Sequence, residues 1–215
     1  MTPRERYLRD GIVFPLVALE PGEVETYRGH VEAHVAAEPE EVRWLHLRHD
    51  WARALATRPA VVARAEELLG EPVVVWGTLL LRKAPRSDGY VAWHQDGAYT
   101  NFSGDDSLSA WIALGDSTAE AGCMRVLAGT HRQRLPHRQI DDARNLLRAG
   151  QSVDATVDES EAIDVTLKAG QMSLHHFDLI HGSGPNRSAA ARTGFIVRYL
   201  KASVDWREWP VIPTR

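Results

Sequence analysis

The chain carries a single cysteine, Cys123, so no internal disulfide framework braces it, and this usage fits a reducing compartment. Long hydrophobic runs are missing as well. The longest nearly apolar stretch, Val73 to Leu81, falls well short of the roughly 20 residues that cross a bilayer. The opening segment, Met1 to Gly11, is charged throughout and lacks the apolar centre of a secretory signal. Neither sign of charge dominates, with a formal net charge of -4, which weighs against a nucleic-acid partner. The basic residues Arg132, Arg134 and Arg138 are interleaved with Pro136, Asp141 and Asp142, the pattern of a solvated loop rather than a phosphate track. Internal repeats, low-complexity tracts and linkers are also lacking. The expectation is one domain over residues 1–215, soluble and cytoplasmic, without a membrane partner, as a monomer or homodimer.

What is present suits a folded enzyme-sized domain: 215 residues, 44% hydrophobic and 25% charged, enough to bury a core unaided. Gly11 to Leu19 reads as an extended entry, with Ile12 and Phe14 alternating around Val13. Pro21 opens a helix whose Val24, Tyr27, Val31 and Val35 recur on one face. A second helical stretch is expected over roughly Glu41 to Ala56, and a third from Pro59 until Gly70 stops it. Beyond Gly70 the period changes to that of strands. Candidates are Val73–Arg82, Ser107–Leu114, Gly122–Leu127, Ala162–Leu167, Met172–Leu179 and Thr193–Leu200. Within Ser107–Leu114, one face carries Leu108, Ala110, Ile112 and Leu114, and the other Ser109, Trp111 and Ala113. Helices first and strands afterwards exclude a doubly wound parallel sheet and favour an antiparallel sandwich or small barrel. The long stretch His131 to Gln151 is expected to contain a helical piece, Ile140 to Ala149, and to cover a site.

The chemistry begins at His94-Gln95-Asp96. In an extended segment, residues two apart share a side, so an imidazole and a carboxylate are presented together. A third ligand must come from elsewhere, and His181, in a Gly- and Ser-rich context, is the candidate. Two histidines and one carboxylate leave several metal positions open, as oxygen-using iron(II) sites require; zinc accepts the same ligand types. Arg192 opens an apolar strand, where a buried guanidinium needs a carboxylate partner and offers it a two-pronged grip. Ser183 can add a hydroxyl.

Five ordered blocks carry a wider resemblance: WHQDGAY at 93–99, AWIAL at 110–114, GCMRVLAGTHR at 122–132, SLHHFDLIHGSGPNRS at 173–188 and RTGFIVRY at 192–199. From about Arg9 to Leu200 the chain resembles the phytanoyl-CoA dioxygenase family of 2-oxoglutarate-dependent oxygenases. The resemblance implies a mainly β fold with flanking helices, the double-stranded β-helix or jelly roll. It implies iron(II) as cofactor, with 2-oxoglutarate and dioxygen as cosubstrates. By that resemblance His94, Asp96 and His181 match iron ligands, and Arg192 and Ser183 match the groups on the far carboxylate of 2-oxoglutarate. Trp111 matches an aromatic wall of the cosubstrate pocket, while Leu79 and His46 match positions touching cosubstrate or substrate. Related halogenases replace the carboxylate ligand by a small residue; Asp96 is retained here, which favours hydroxylation.

Several residues are assigned by position alone. Gln95 is expected either to contact cosubstrate or substrate or to make a structural hydrogen bond, and Tyr99, Asn101 and Phe102 to contact substrate. His175 and His176 lie on a strand, with His175 in packing or supporting the metal ligands. His30 and His34 are expected on a helix surface at a spacing that suits a metal pair but without a partner carboxylate, and His131 and His137 in loops. Lacking a basic cluster for the phosphates of coenzyme A, the chain is expected to take a small polar or natural-product substrate. Its tail, Lys201 to Arg215, with Trp206, Trp209, Pro210 and Pro213, is expected to close over the pocket or meet a second subunit. Two other classes fit the same shape: a non-catalytic jelly-roll binding protein, and a cupin-like metal-dependent isomerase or hydrolase.

Overall fold

Prolines and caps set the helices. The computed structural model describes residues 1–147, 150–205 and 210–214. Helix α1 (Pro3–Asp10) opens on a reciprocal cap between Thr2 and Glu5 and closes at Gly11, whose φ of 77° is left-handed. Hydrophobic periodicity does not single it out, because Tyr7 is its one buried side chain. Helices α2 (Pro21–Ala37) and α4 (Pro59–Leu69) start at their prolines, and Gly70 ends α4. Between them lies α3 (Asp50–Ala56).

The strands are β1 (Ile12–Val17), β2 (Val73–Lys83), β3 (Val91–His94), β4 (Ser107–Ala113), β5 (Met124–Val126) and β6 (His137–Gln139). They continue as β7 (Gln151–Val153), β8 (Ile163–Val165), β9 (Gln171–His176), β10 (His181–Ser183), β11 (Arg192–Lys201) and β12 (Ile212–Pro213). Antiparallel pairing gives a major sheet in the order β1-β9-β4-β11-β2-β12 and a minor sheet in the order β3-β10-β5-β8. A small β6-β7 pair stands apart. Two facing sheets with helices outside form the jelly roll, a mainly β fold.

Every residue of β4 is buried, because the major sheet is covered on both sides. Leu108, Ala110, Ile112 and Leu114 join one core with Val31, Val61, Ala65 and Leu68 from the helices. Trp111 and Ala113 join another with Met124, Val126, Val165 and Leu179, between the two sheets. The alternation read from Ser107–Leu114 therefore separates two cores. It does not separate core from solvent.

Three sequence expectations need correction. The helix expected over Glu41–Ala56 survives only as α3 and one 3-10 turn, Leu45–Leu47. Trp44 has a φ of 58°, and its segment follows β2: Trp44 N donates to Thr78 O and Leu80 N to Val42 O. Strand-edge partners there replace the helical ones. No helix forms over residues 140–147, while Arg148 and Ala149 lie outside the described residues. Asp142 accepts from Arg144 N and Asn145 from Leu147 N, local turns that compete with a helix. The tail places Ile212 and Pro213 on the edge of β2, opposite Val75 and Val74, instead of over a pocket. Trp206 and Trp209 lie outside the described residues, so the expectation placed on them is not addressed.

Candidate metal centre and its pocket

The register of the minor sheet sets His94 opposite His181, with ring centroids 4.1 Å apart. Gln95 is extended (φ -119°, ψ 128°), so Asp96 emerges on the same side as His94, as the spacing predicts. The three side chains are buried, and one ligand atom from each lies within 4.8 Å of the other two. His94 Nδ1 sits 2.8 Å from Ala92 O and His181 Nδ1 2.9 Å from Leu179 O. Each ring therefore donates from Nδ1 and keeps a lone pair on Nε2, the usual support for a metal-binding imidazole.

Asp96 is held from two sides: Arg198 Nη2 donates to Oδ1 at 3.0 Å and Ser109 Oγ to Oδ2 at 2.8 Å. Burial alone would raise its pKa; Arg198, His94 and His181 outweigh burial and hold it well below the usual carboxylate range. Burial, with His94 and His175 alongside, keeps His181 well below an ordinary imidazole. His175 packs beside this group, Nε2 3.9 Å from Asp96 Oδ2, and neither of its ring nitrogens has a hydrogen-bond partner. Burial pushes it down to about 4. His175 thus stays neutral beside the ligand set.

The group opens into a cavity of about 720 Å³. One end is cationic. Arg192, at the start of β11, is buried, with Nε on Ser117 Oγ at 3.1 Å and Nη1 unpartnered. Its guanidinium lies 4.5 Å from the Trp111 ring centroid, and that ring packs where a side chain on Gly194 would sit, so β11 needs a glycine there. Lys83, at the end of β2, is also buried and donates to Ser183 Oγ at 2.7 Å and to the Gly184 carbonyl. Burial, then the charge of Arg192, pushes its ammonium down to about 7. Much of the remaining wall is carbon, from Leu79, Val35, Pro39, Val42, Leu146 and Leu147, with Arg43 and Arg82 among them.

His94, Asp96, His181, Arg192, Ser183, Trp111, Leu79 and Tyr99 all line this one cavity. The Tyr99 hydroxyl is unpartnered, and burial next to Asp96 pushes it up to about 12. Four assigned residues do not reach it. Gln95 points away from its neighbours and spends its amide on Gln133 O, Asp178 O and Leu135 N, tying loops together. His46 is fully buried behind the wall, its Nδ1 3.0 Å from Thr78 Oγ1. Phe102 packs on Trp76 in a separate apolar cluster, and Asn101 is exposed. Proximity in sequence to the His-x-Asp string does not carry Gln95, Asn101 and Phe102 into the cavity, nor does the resemblance carry His46 there. His34, expected on a surface, is buried, while His176 approaches Asp105 away from this site.

Lys83, Arg198 and Ser109 escape sequence reasoning. Lys83 ends an apolar strand, where a lysine usually marks the return to solvent, and Ser109 reads as a small companion of Trp111. Arg198 could have been found: six residues after Arg192 on one strand, it shares that residue's side.

Two histidines and one carboxylate inside a jelly roll, beside a buried guanidinium, define the non-haem iron and 2-oxoglutarate oxygenase class. The chain belongs to the phytanoyl-CoA dioxygenase family, whose model matches residues 7–194. A probable alpha-ketoglutarate-dependent hypophosphite dioxygenase of Stutzerimonas stutzeri is 30% identical over 169 residues, 78% of this chain and 57% of that protein. A phytanoyl-CoA dioxygenase of Arabidopsis thaliana is 28% identical over 136 residues, 63% of this chain and 47% of that protein. The chain therefore spans about half the length of these curated relatives. Among solved structures, the non-haem monooxygenase ThoJ matches with a TM-score of 0.83 and 31% identity, over 100% of this chain and 80% of its own. The epimerase SnoN, in complex with Fe3+, alpha-ketoglutarate and nogalamycin RO, matches with a TM-score of 0.77 and 28% identity, over 94% of this chain and 83% of its own. Iron and 2-oxoglutarate are the cofactor and cosubstrate of this class. The residues present fit both, with His94 and His181 freed at Nε2 by their backbone bonds, the Asp96 carboxylate beside them, and an unpartnered Arg192 Nη1 for a carboxylate.

Proposed function

We propose that this chain is an iron(II)- and 2-oxoglutarate-dependent dioxygenase that hydroxylates an unactivated C–H bond of a small organic substrate. The reaction joins substrate, 2-oxoglutarate and dioxygen to give the alcohol, succinate and carbon dioxide. His94 and His181, through Nε2, and Asp96 hold the iron, which supplies the oxygen chemistry when bound. Arg192 and Ser183 grip the far carboxylate of 2-oxoglutarate, with Lys83 behind Ser183 holding its hydroxyl, and Trp111 forms the wall beside it. Arg198 and Ser109 keep the Asp96 carboxylate oriented and ionised. The apolar wall excludes water and seats substrate, with the Tyr99 hydroxyl as its hydrogen-bonding point.

The observation that carries this reading is the shared cavity: the ligand trio and the buried Arg192, whose Nη1 has no partner, open into one space. A binding protein has no use for both. The apolar stretches of the wall and the volume suit a carbon-bodied substrate such as a natural product better than hypophosphite. Succinate formation, measured with iron(II), oxygen, 2-oxoglutarate and a substrate panel, tests the assignment. It should collapse in Asp96→Ala and Arg192→Ala; equal turnover in both variants would reject it.

A further inference from the structure

A second group of ligand-type side chains gathers on the helical side of the molecule, away from the cavity's iron-type trio. Helical spacing pairs His30 with His34, but the structure separates them. His30 stacks on Trp51, with centroids 5.9 Å apart and an interplanar angle of 5°. His34 is buried and meets His49 edge-on, with centroids 4.9 Å apart. Glu38 follows His34 by one helical turn on the same face. One ligand atom from each of His34, Glu38 and His49 lies within 4.8 Å of the other two.

The hydrogen bonding favours metal binding over plain packing. His34 Nε2 lies 2.6 Å from the Glu41 carbonyl, so it carries the ring proton and leaves the lone pair on Nδ1. His49 Nε2 is withdrawn from solvent and has no hydrogen-bond partner, a cost that a ligated ion would remove. Arg48, the nearest cation in sequence, is engaged by Glu41 at 2.6 Å. Two imidazoles and a carboxylate are donors that zinc accepts, with water completing a tetrahedron.

We propose that His34, Glu38 and His49 form a second, non-catalytic metal site for a divalent ion of the zinc type. It would clip the C-terminal turn of α2 to the start of α3. Between these ligands run Val35, Pro39, Val42 and Arg43, all on the cavity wall. Closing that loop with an ion restricts the conformations of the substrate side of the pocket. The ion's role is to stiffen a wall, and the proposal stands apart from the iron reading.

The test counts zinc. The full chain is stripped with chelator, dialysed against zinc chloride and analysed by plasma mass spectrometry. Wild type is expected to hold two zinc ions per chain, since the His94, Asp96 and His181 trio also accepts zinc, and both Glu38→Gln and His49→Ala one. Glu38 is exposed, so Glu38→Gln remains informative if His49→Ala folds poorly. Zinc should also raise the melting temperature of wild type by about 2–4 °C more than that of Glu38→Gln. Equal zinc content in wild type and both variants, with equal thermal shifts, would overturn the site.

Discussion

Along β11, Phe195, Val197 and Tyr199 face the helices, while Arg192, Ile196 and Arg198 face the cavity. The same division runs through β9, where Met172 and Leu174 meet the helical core and His175 meets the ligand trio. In β4 it sets Ile112 against Trp111. The helix-facing side is dry and apolar, and its contribution is stability. The cavity side of the same strands carries the buried Arg192, the partly buried Arg198 and the unpartnered imidazole of His175. That polar burden is destabilising by itself. It is tolerable because a period of two lets each strand give its alternate residues to opposite tasks.

Substitutions on the two faces should therefore separate folding from chemistry. His181→Ala is expected to abolish succinate formation and iron retention while the metal-free protein still unfolds cooperatively in urea. Leu174→Ala, fully buried on the helix side, should show the converse. A stability loss of about 2–5 kcal/mol is expected, with near-normal turnover per folded molecule. Comparable activity loss from both would break the contrast. Next in size, Arg192→Ala should weaken 2-oxoglutarate binding by about 10- to 100-fold, read by anaerobic calorimetry.

Lys83 sharpens the comparison through pH. With a folded pKa of about 7, below an ordinary lysine, the unfolded chain holds this proton more strongly. Lys83's contribution to the stability of cosubstrate-free protein should thus rise with pH above about 7, towards the ordinary lysine value. The ammonium adds positive charge behind Ser183, so 2-oxoglutarate affinity should fall over the same range, by up to about tenfold per pH unit. Lys83→Met should flatten both slopes. The smallest effect is expected from Ser109→Ala, which removes one hydrogen bond from Asp96 and should weaken iron binding by up to about tenfold, measured by chelator competition.

Much of this arrangement can be read from local strings. The jelly roll follows from strands clustered after helices, and the trio's juxtaposition from a two-residue spacing plus one remote histidine. Other parts depend on partners that are distant in sequence. Trp44 leaves the helical region because β2 offers backbone groups at its edge, which no local propensity encodes. Gln95 is committed to Gln133, Leu135 and Asp178, residues about 40 and 80 positions away, so its role is invisible from its neighbours. Lys83 reaches the site only through Ser183 and Gly184, which β10 and its following turn bring over it. His34 likewise finds His49, not His30, through the turn between α2 and α3.

His94 and His181 stand directly across a strand pair, although strands β4 to β9 lie between them in the chain. Their separation is inherited from backbone pairing, so the intervening connections are released from any duty to place them. Residues 133–137 are tied to Gln95 between the ligands, so the freedom to recruit new molecules to the mouth lies further along, where Leu146 and Leu147 reach the cavity wall. In such a scaffold, novelty in what is oxidised can accumulate without renegotiating how.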